Sequence, residues 1–547
     1  MLTAHPPLPA APSVRFTARL YDRMAIAVLL IVSVCSALTF RDYGLGWDDY
    51  THSEYGDLLL AYYGSGFTDK RALSFVNLYM YGGGFDLLSA LAGKVLPFGV
   101  FETRRLMGAI VGIIGLAVAW RLARRLGGPV AGLLALVLLA TTPMYYGHMY
   151  MNAKDGPFAV AMCVLLLATL RAIEDYPSPS RGTVAFLGLS LGLVLGTRIL
   201  GGIAVLFVVA PLALLVGRDI VENGARTGLR RFGWFVLVMA TGLPLGYLVM
   251  GLLWPWSVIE PLNPVRAIAY FSHFFEKPWR ELYEGMPVLV PDMPASYVPR
   301  LLALKLPETV AVLALAGCVG IVIAATRKSI DVRKRAGWLL VLSAAAVPVA
   351  YAMVSRPALY NGLRHFVFIV PPIAIIAGIA CAWALEWLRG RSRAALVAGC
   401  AVLTLALSIT LRDMVQLHPY QYAYFNALAG GVRGADRGYM LDYWGLAFKQ
   451  ATDQLRTSLK ASGANPPAGR SYWIVAVCGP QRVAQVGFGS KFRTTSDPKG
   501  ADFALVLREF YCREVNAPVV TNVEREGVAF ATVYDIRGRT VRPLSAQ

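Results

Sequence analysis

About eleven apolar runs, each close to twenty residues long, constrain this chain more than any other feature of its sequence. They lie at 24–40, 106–121, 129–144, 157–172, 182–198, 200–216, 232–253, 308–326, 337–354, 366–388 and 394–411. A run of that length matches the hydrocarbon thickness of a bilayer when coiled as a helix. A helix also satisfies its own backbone hydrogen bonds, which lipid cannot do. The chain is 56% hydrophobic and 16% charged, against about 25% charged in soluble domains. The expected fold is therefore mainly α, a polytopic membrane protein. Arg15, Arg19 and Arg23 precede the first run in the manner of a signal peptide. No A-x-A cleavage site follows and further spans do, so it reads as a retained helix. Residues 1–23, with their Pro/Ala-rich stretch, read as a disordered N-terminus and 24–411 as the membrane domain. Residues 41–105 form its first polar loop, in which Gly82–Phe101 reads as an interfacial helix lying on the membrane.

The charge balance gives an orientation. The net charge of +19 needs no nucleic-acid partner if the cations fall on one side of a membrane. Loops on one side carry Arg121, Arg124 and Arg125; Arg171 and Arg181; Arg218, Arg226, Arg230 and Arg231; Arg327, Lys328, Arg333, Lys334 and Arg335; and Arg389, Arg391 and Arg393. The 41–105 loop on the other side holds six basic and eight acidic residues. The positive-inside rule then places the N-terminus in the cytoplasm and residues 412–547 outside. That tail reads as a small α/β domain. It has a helix near Leu446–Leu459 and strands at Tyr472–Val477, Phe503–Leu507 and Val528–Tyr534. Cys478 and Cys512 in it form either a disulfide, in an oxidising periplasm, or two buried thiols.

Polar clusters recur at the outer ends of the spans. The first is Trp47-Asp48-Asp49-Tyr50 with His52, where acids sit at the mouth of a membrane helix. Glu54 and Asp57 read as solvated loop acids. The second is Tyr145 to Pro157. If it is one helix, His148, Asn152 and Asp155 share a face, beside Lys154. The third is Tyr360-Asn361-Gly362-Leu363-Arg364-His365. Arg198 stands alone at another outer end, and Arg104 and Arg105 read as snorkelling to lipid headgroups. Ionisable residues at membrane depth usually serve a cavity or a partner. Carboxylates can take a proton from an acceptor hydroxyl, and arginine suits phosphate oxygens. The pattern fits group transfer from a lipid-linked phosphate. No G-x-S-x-G, H-E-x-x-H or P-loop occurs, and the seven cysteines have no metal-ligand spacing.

The order of these parts resembles the GT-C membrane glycosyltransferases, particularly bacterial family 39 relatives of protein O-mannosyltransferases and lipid A aminoarabinose transferases. The resemblance rests on Asp48-Asp49 after the first helix, on Asn152-Ala153-Lys154-Asp155-Gly156-Pro157-Phe158, on Thr197-Arg198 and on Tyr360–Pro372. It extends through His418-Pro419-Tyr420-Gln421-Tyr422 to Leu441-Asp442-Tyr443-Trp444-Gly445. It implies a polyprenyl-phosphate sugar donor, a lipid bilayer setting in the bacterial inner membrane, and inverting transfer of a hexose or pentose to an envelope acceptor on the periplasmic face. It implies Asp48 or Asp49 as general base and Asp155 as a partner for the acceptor or a cation. Lys154, Arg198, Arg364 and His365 would hold the donor phosphate, with His148, Asn152 and Asp442 as further substrate contacts. The resemblance commits to no cofactor, since metal use varies among such enzymes; a cation, if bound, would be Mg²⁺ or Mn²⁺. Two other readings compete. A flippase or transporter of lipid-linked sugars would also have many spans, but internal repeats and midplane charges are its usual marks. A non-catalytic assembly protein would leave Asp48, Asp155 and His365 without a task.

Overall fold

A computed structural model describes residues 12–272 and 279–545, with side chains from Ala18 onward. Among these residues nine helices are long and apolar enough to cross a membrane. The first, α1, spans Pro12–Thr39. The expected disordered stretch 1–23 is thus helical from residue 12, because an apolar helix extends its hydrogen bonding into its basic flank; residues 1–11 lie outside the described residues. α2 (Asp49–Gly64) and α3 (Gly84–Gly93) form the first loop, and α3 is too short to span. α4 (Val100–Ala140) has 41 residues, about 60 Å of helix, twice a bilayer core. It is broken at Gly128, whose backbone is non-helical, next to Pro129. A Cβ at Gly132 would meet Trp120 at 3.1 Å, so the two arms fold back on one another. α4 therefore covers two of the expected spans.

α5 (Pro143–Met151) and α6 (Asp155–Asp175) follow. α7 (Arg181–Leu195) is apolar but short, and packs against the helix Leu243–Leu253. Gly188 and Gly192 face Gly242 and Gly246 so closely that a Cβ at either of the first two would strike the opposing backbone carbonyl. Such small-xxx-small seams let membrane helices approach where lipid gives no hydrophobic drive. The helix Val370–Arg391 is packed on α4 as the central span, while Arg393–Gln416 lies almost wholly open to lipid.

The two ends of the bundle differ. Arg124 pairs with Asp22 at 2.6 Å and Arg231 with Asp219 at 2.9 Å at the arginine-rich end. At the other end lie the 41–99 loop, a hairpin of β1 (Arg280–Tyr283) and β2 (Met286–Leu289), and the C-terminal unit. That unit is a five-stranded sheet built from β3 (Trp473–Cys478), β4 (Phe492–Thr495), β5 (Phe503–Leu507), β6 (Val519–Arg525) and β7 (Val528–Asp535). The order is β4-β3-β5-β7-β6, with β3 parallel to β4 and β5 and the other pairs antiparallel. The amphipathic helix Ala447–Ala461 buries Phe448, Ala451 and Leu455 toward the sheet. Cys478 and Cys512 are bridged. Residues 417–446 touch both units: Arg525 Nε donates to the His418 carbonyl at 2.9 Å and Arg508 pairs with Asp436 at 3.1 Å on the side of the sheet, and other contacts reach the membrane unit. Asn426 Nδ2 donates to the carbonyls of Ala303 and Leu306 at 2.7 and 2.8 Å, and Lys305 Nζ to that of Tyr422 at 3.0 Å.

Candidate active site

The loop after α1 turns back toward the bundle at Gly44–Gly46, and the segment 444–446 packs directly on it. Trp47 N donates to the Trp444 carbonyl at 3.2 Å. A Cβ at Gly46 would overlap the Trp444 indole, and one at Gly44 the Leu446 carbonyl. Gly46→Ala is accordingly expected to destabilise the protein by about 1–3 kcal/mol, as an overpacked site does. It should also tilt Asp48, and a lowered thermal midpoint in detergent checks it.

Asp48 and Asp49 have opposite surroundings. Asp49 is 3% exposed and is held by Arg105 through both carboxylate oxygens, one of them at 3.0 Å, while Gly46 N donates to it at 2.6 Å. Arg105 also donates to the Gly44 carbonyl. Arg104 pairs with Asp86, whose other oxygen meets His52 Nδ1 at 2.7 Å. Arg104 and Arg105 are therefore buried ion-pair partners, not headgroup anchors: each finds a carboxylate of the first loop, which gives more than lipid phosphate at the surface. Both oxygens of Asp49 are thus engaged and buried.

Asp48 is 39% exposed at its side chain and faces Lys154 Nζ at 3.7 Å and Arg364 Nη1 at 3.8 Å. Burial opposes its ionisation, but the charges of Lys154, Arg364 and His52 outweigh that and hold it below the ordinary carboxylate range. Burial, partly offset by Asp48, pulls Lys154 down to about 8. Aromatic rings line the cations. Lys154 Nζ is 4.7 Å from the Tyr81 ring centre and Arg198 5.7 Å. Arg364 lies 4.4 Å from the Tyr360 ring and 4.9 Å from that of Trp444. Arg364 Nε, His365 Nδ1 and Trp444 Nε1 are buried polar atoms without a hydrogen-bond partner among the described residues. Each of these can serve a polar ligand.

The 145–157 cluster is not one helix. α5 ends at Asn152, whose side chain accepts from the Lys154 and Asp155 amides at 3.0 and 2.7 Å and donates to Asp155 at 2.7 Å. This Asx turn starts α6 and aims Lys154 at Asp48. Asp155 in turn pairs with Arg198. His148 points elsewhere: it bonds the Met144 carbonyl at 2.7 Å and the Tyr443 hydroxyl at 3.1 Å, leaving no nitrogen for substrate. Asp442 likewise accepts from Tyr422 and from the amides of Gly445, Leu446 and Ala447, bracing the start of the helix 447–461. Sequence reasoning passed over Tyr81, for which no signal existed, and Trp444, which stood inside the quoted Leu441–Gly445 motif. Glu54 and Asp57 are exposed on α2.

The donor set does not suit a divalent cation. Among the described residues no three His, Cys, Asp or Glu side chains gather. The neighbours of Asp48 are cations, and Asp155 is spent on Arg198. What the described residues offer is one accessible carboxylate beside Lys154 and Arg364, with the Asp155-paired Arg198 sharing the Tyr81 ring with Lys154, an arrangement for a hydroxyl and an anion together.

Residues 87–243 match the family model for dolichyl-phosphate-mannose-protein mannosyltransferase. Among solved structures the chain is similar to ArnT from Cupriavidus metallidurans bound to undecaprenyl phosphate. The identity is 17%, over 94% of this chain and 98% of that one, with a TM-score of 0.48. It is also similar to the oligosaccharyltransferase AglB from Archaeoglobus fulgidus in complex with an inhibitory peptide and a dolichol-phosphate. Here the identity is 11%, over 88% of this chain and 69% of that one, with a TM-score of 0.51. No curated protein matches. The chain is a multi-pass membrane protein with the GT-C fold.

Proposed function

From that fold as premise, we propose that the protein transfers a sugar from a polyprenyl-phosphate donor to an envelope acceptor on the periplasmic face of a bacterial inner membrane. The observation that carries the reading is Asp48, an accessible carboxylate within 4 Å of both Lys154 and Arg364. The acceptor hydroxyl oxygen attacks the anomeric carbon as the bond from that carbon to the phosphate oxygen breaks. Polyprenyl phosphate leaves with the bonding pair, Asp48 takes the hydroxyl proton, and the configuration inverts. Lys154, Arg364 and Arg198 meet the charge that grows on the phosphate. Asp48 is a weak base while Lys154 and Arg364 face it. A phosphate that draws those charges to itself raises the basicity of Asp48 just when a base is needed. The family match names a dolichyl-phosphate sugar, and the archaeal neighbour holds dolichol-phosphate; both support such a donor. The periplasmic placing is supported by the site's position at the end opposite the arginine-rich loops. The flippase reading gains no comparable support, since the charged cluster lies at one end of the spans.

Binding of undecaprenyl phosphate to the purified protein in nanodiscs tests the donor site. Lys154 titrates near 8, so its charge is present below that pH and lost above it. The lipid phosphate has already lost its second proton near pH 6. Affinity is expected to fall between pH 7 and 9.5 in the wild type and to stay level in Lys154→Arg, which remains charged. A flat wild-type profile would remove Lys154 from the phosphate site.

A further inference from the structure

Glu281 is a buried carboxylate that the transfer step leaves without a role. It lies on β1, is 2% exposed, and belongs to a hairpin far in sequence from both the first loop and the 360–365 cluster. Its partners are specific. Oε2 accepts from the Asn361 amide at 3.0 Å and Oε1 from the Gly362 amide at 3.2 Å. The Tyr297 hydroxyl donates to Oε1 at 3.3 Å. Asn361 and Gly362 are both left-handed, with φ of 58° and 64°. Asparagine and glycine are the residues that tolerate such a turn. Consecutive amides that converge in this way form a concavity for an anion, and here the anion is a side chain of the protein itself. The hairpin adds a second contact, since Trp279 packs against Tyr360 with ring centres 6.3 Å apart. Two residues beyond the turn, Arg364 leaves the backbone and reaches Asp48.

We propose that Glu281 is a positioning residue for the phosphate grip: by holding the Asn361–Gly362 turn, it sets Arg364, with the Tyr360 ring against it, beside Asp48. The carboxylate matters as a double acceptor. Two backbone amides point their hydrogens at it, and the Tyr297 hydroxyl is shared between its Oε1, at 3.3 Å, and the Gly362 carbonyl, at 3.4 Å. A glutamine would turn an NH₂ toward one of those donors, and an alanine would leave both amides buried without an acceptor, a cost that falls on this turn. Without the clamp, the turn is free to relax toward the right-handed region, and Arg364 moves with it. The consequence is selective, because Lys154 and Arg198 are placed by α6 and by the Asn152 and Asp155 contacts, which Glu281 does not touch.

The proposal rests on Arg364 holding the donor phosphate, and a double-mutant cycle separates the two ideas. The measurement is the affinity of undecaprenyl phosphate for the full chain in nanodiscs, with the thermal midpoint recorded beside it. The proteins are wild type, Arg364→Ala, Glu281→Ala, Glu281→Gln and the Arg364/Glu281 double variants. Glu281→Ala is expected to weaken binding about tenfold, the equivalent of one charge-assisted contact, and Glu281→Gln less. In the Arg364→Ala background either change should then cost nearly nothing, since residues acting through one another are not additive. If Glu281→Ala does not fold, the cycle runs with Glu281→Gln alone. Unchanged affinity in both Glu281 variants, or full additivity with Arg364→Ala, would overturn the positioning role. Unchanged affinity in Arg364→Ala would instead overturn the phosphate role of Arg364.

Discussion

Asp48→Asn is expected to lower sugar transfer by about 10²–10⁴-fold, the usual contribution of a positioned general base, while the protein folds normally. The side chain keeps its shape and is partly exposed, and Arg364, left without the Asp48 charge, keeps the Tyr360 and Trp444 rings against it. A second effect has the opposite sign. On the proposed reading, the Asp48 carboxylate, which faces Lys154 and Arg364, competes with the donor for both. Removing its charge frees both cations, so undecaprenyl phosphate should bind Asp48→Asn at least as tightly as it binds the wild type. Lost turnover with retained or improved lipid-phosphate affinity is the signature of a base. A substitution that merely disturbed the loop would weaken both. Transfer assays and lipid binding on one preparation decide between them.

The largest effect on stability is expected one residue later. Asp49→Ala leaves Arg105 buried without its partner, and Arg105→Ala leaves Asp49 so. Breaking a buried pair from one side costs about 3–5 kcal/mol. Each single variant should show a strongly lowered thermal midpoint and poor membrane yield. Removing both charges together, as Asp49→Leu with Arg105→Met, should recover much of the loss, because no stranded ion remains. The Gly44 carbonyl, which also accepts from Arg105, keeps the recovery incomplete. Adjacent aspartates thus give separable results: Asp48 variants fold and do not turn over, whereas Asp49 variants fail to fold. A double variant no more stable than the singles would show that the pair is not what holds this loop.

Much of the architecture was legible because lipid imposes it. Apolar runs of spanning length, and arginines at one end, are one-dimensional signals. The Gly128–Pro129 break between 106–121 and 129–144 was visible as a gap between runs. Strands β3, β5 and β7 were legible as short, mostly apolar runs. β4 and β6 were not, because Arg493, Thr494 and Thr495 in one and Thr521, Asn522, Glu524 and Arg525 in the other make them polar. The gathering of Asp48, Lys154, Arg198 and Arg364 could be argued from their common end of the bundle. What could not be read was which charge meets which. Asp49 and Arg105 lie 56 residues apart, and nothing local distinguishes a carboxylate that meets a buried guanidinium from one that stays accessible. His148 and Asp442 misled for the same reason: each is a polar residue in a quoted motif, yet each spends its hydrogen bonds on the protein. Asn152 was assigned to a helix face, but its side chain competes for the next amides and ends the helix.

The most direct test of the account is mass spectrometry of envelope lipids, glycans and glycoproteins from a strain lacking this protein, complemented either with the wild type or with Asp48→Asn. The account predicts that a polyprenyl-phosphate-linked pentose or hexose accumulates in the deletion strain and that the same sugar mass is missing from one acceptor. The wild type should reverse both changes and Asp48→Asn, present at equal level in the membrane, neither. Full complementation by Asp48→Asn, or a deletion strain whose lipid-linked sugars and envelope acceptors are unchanged, would contradict it.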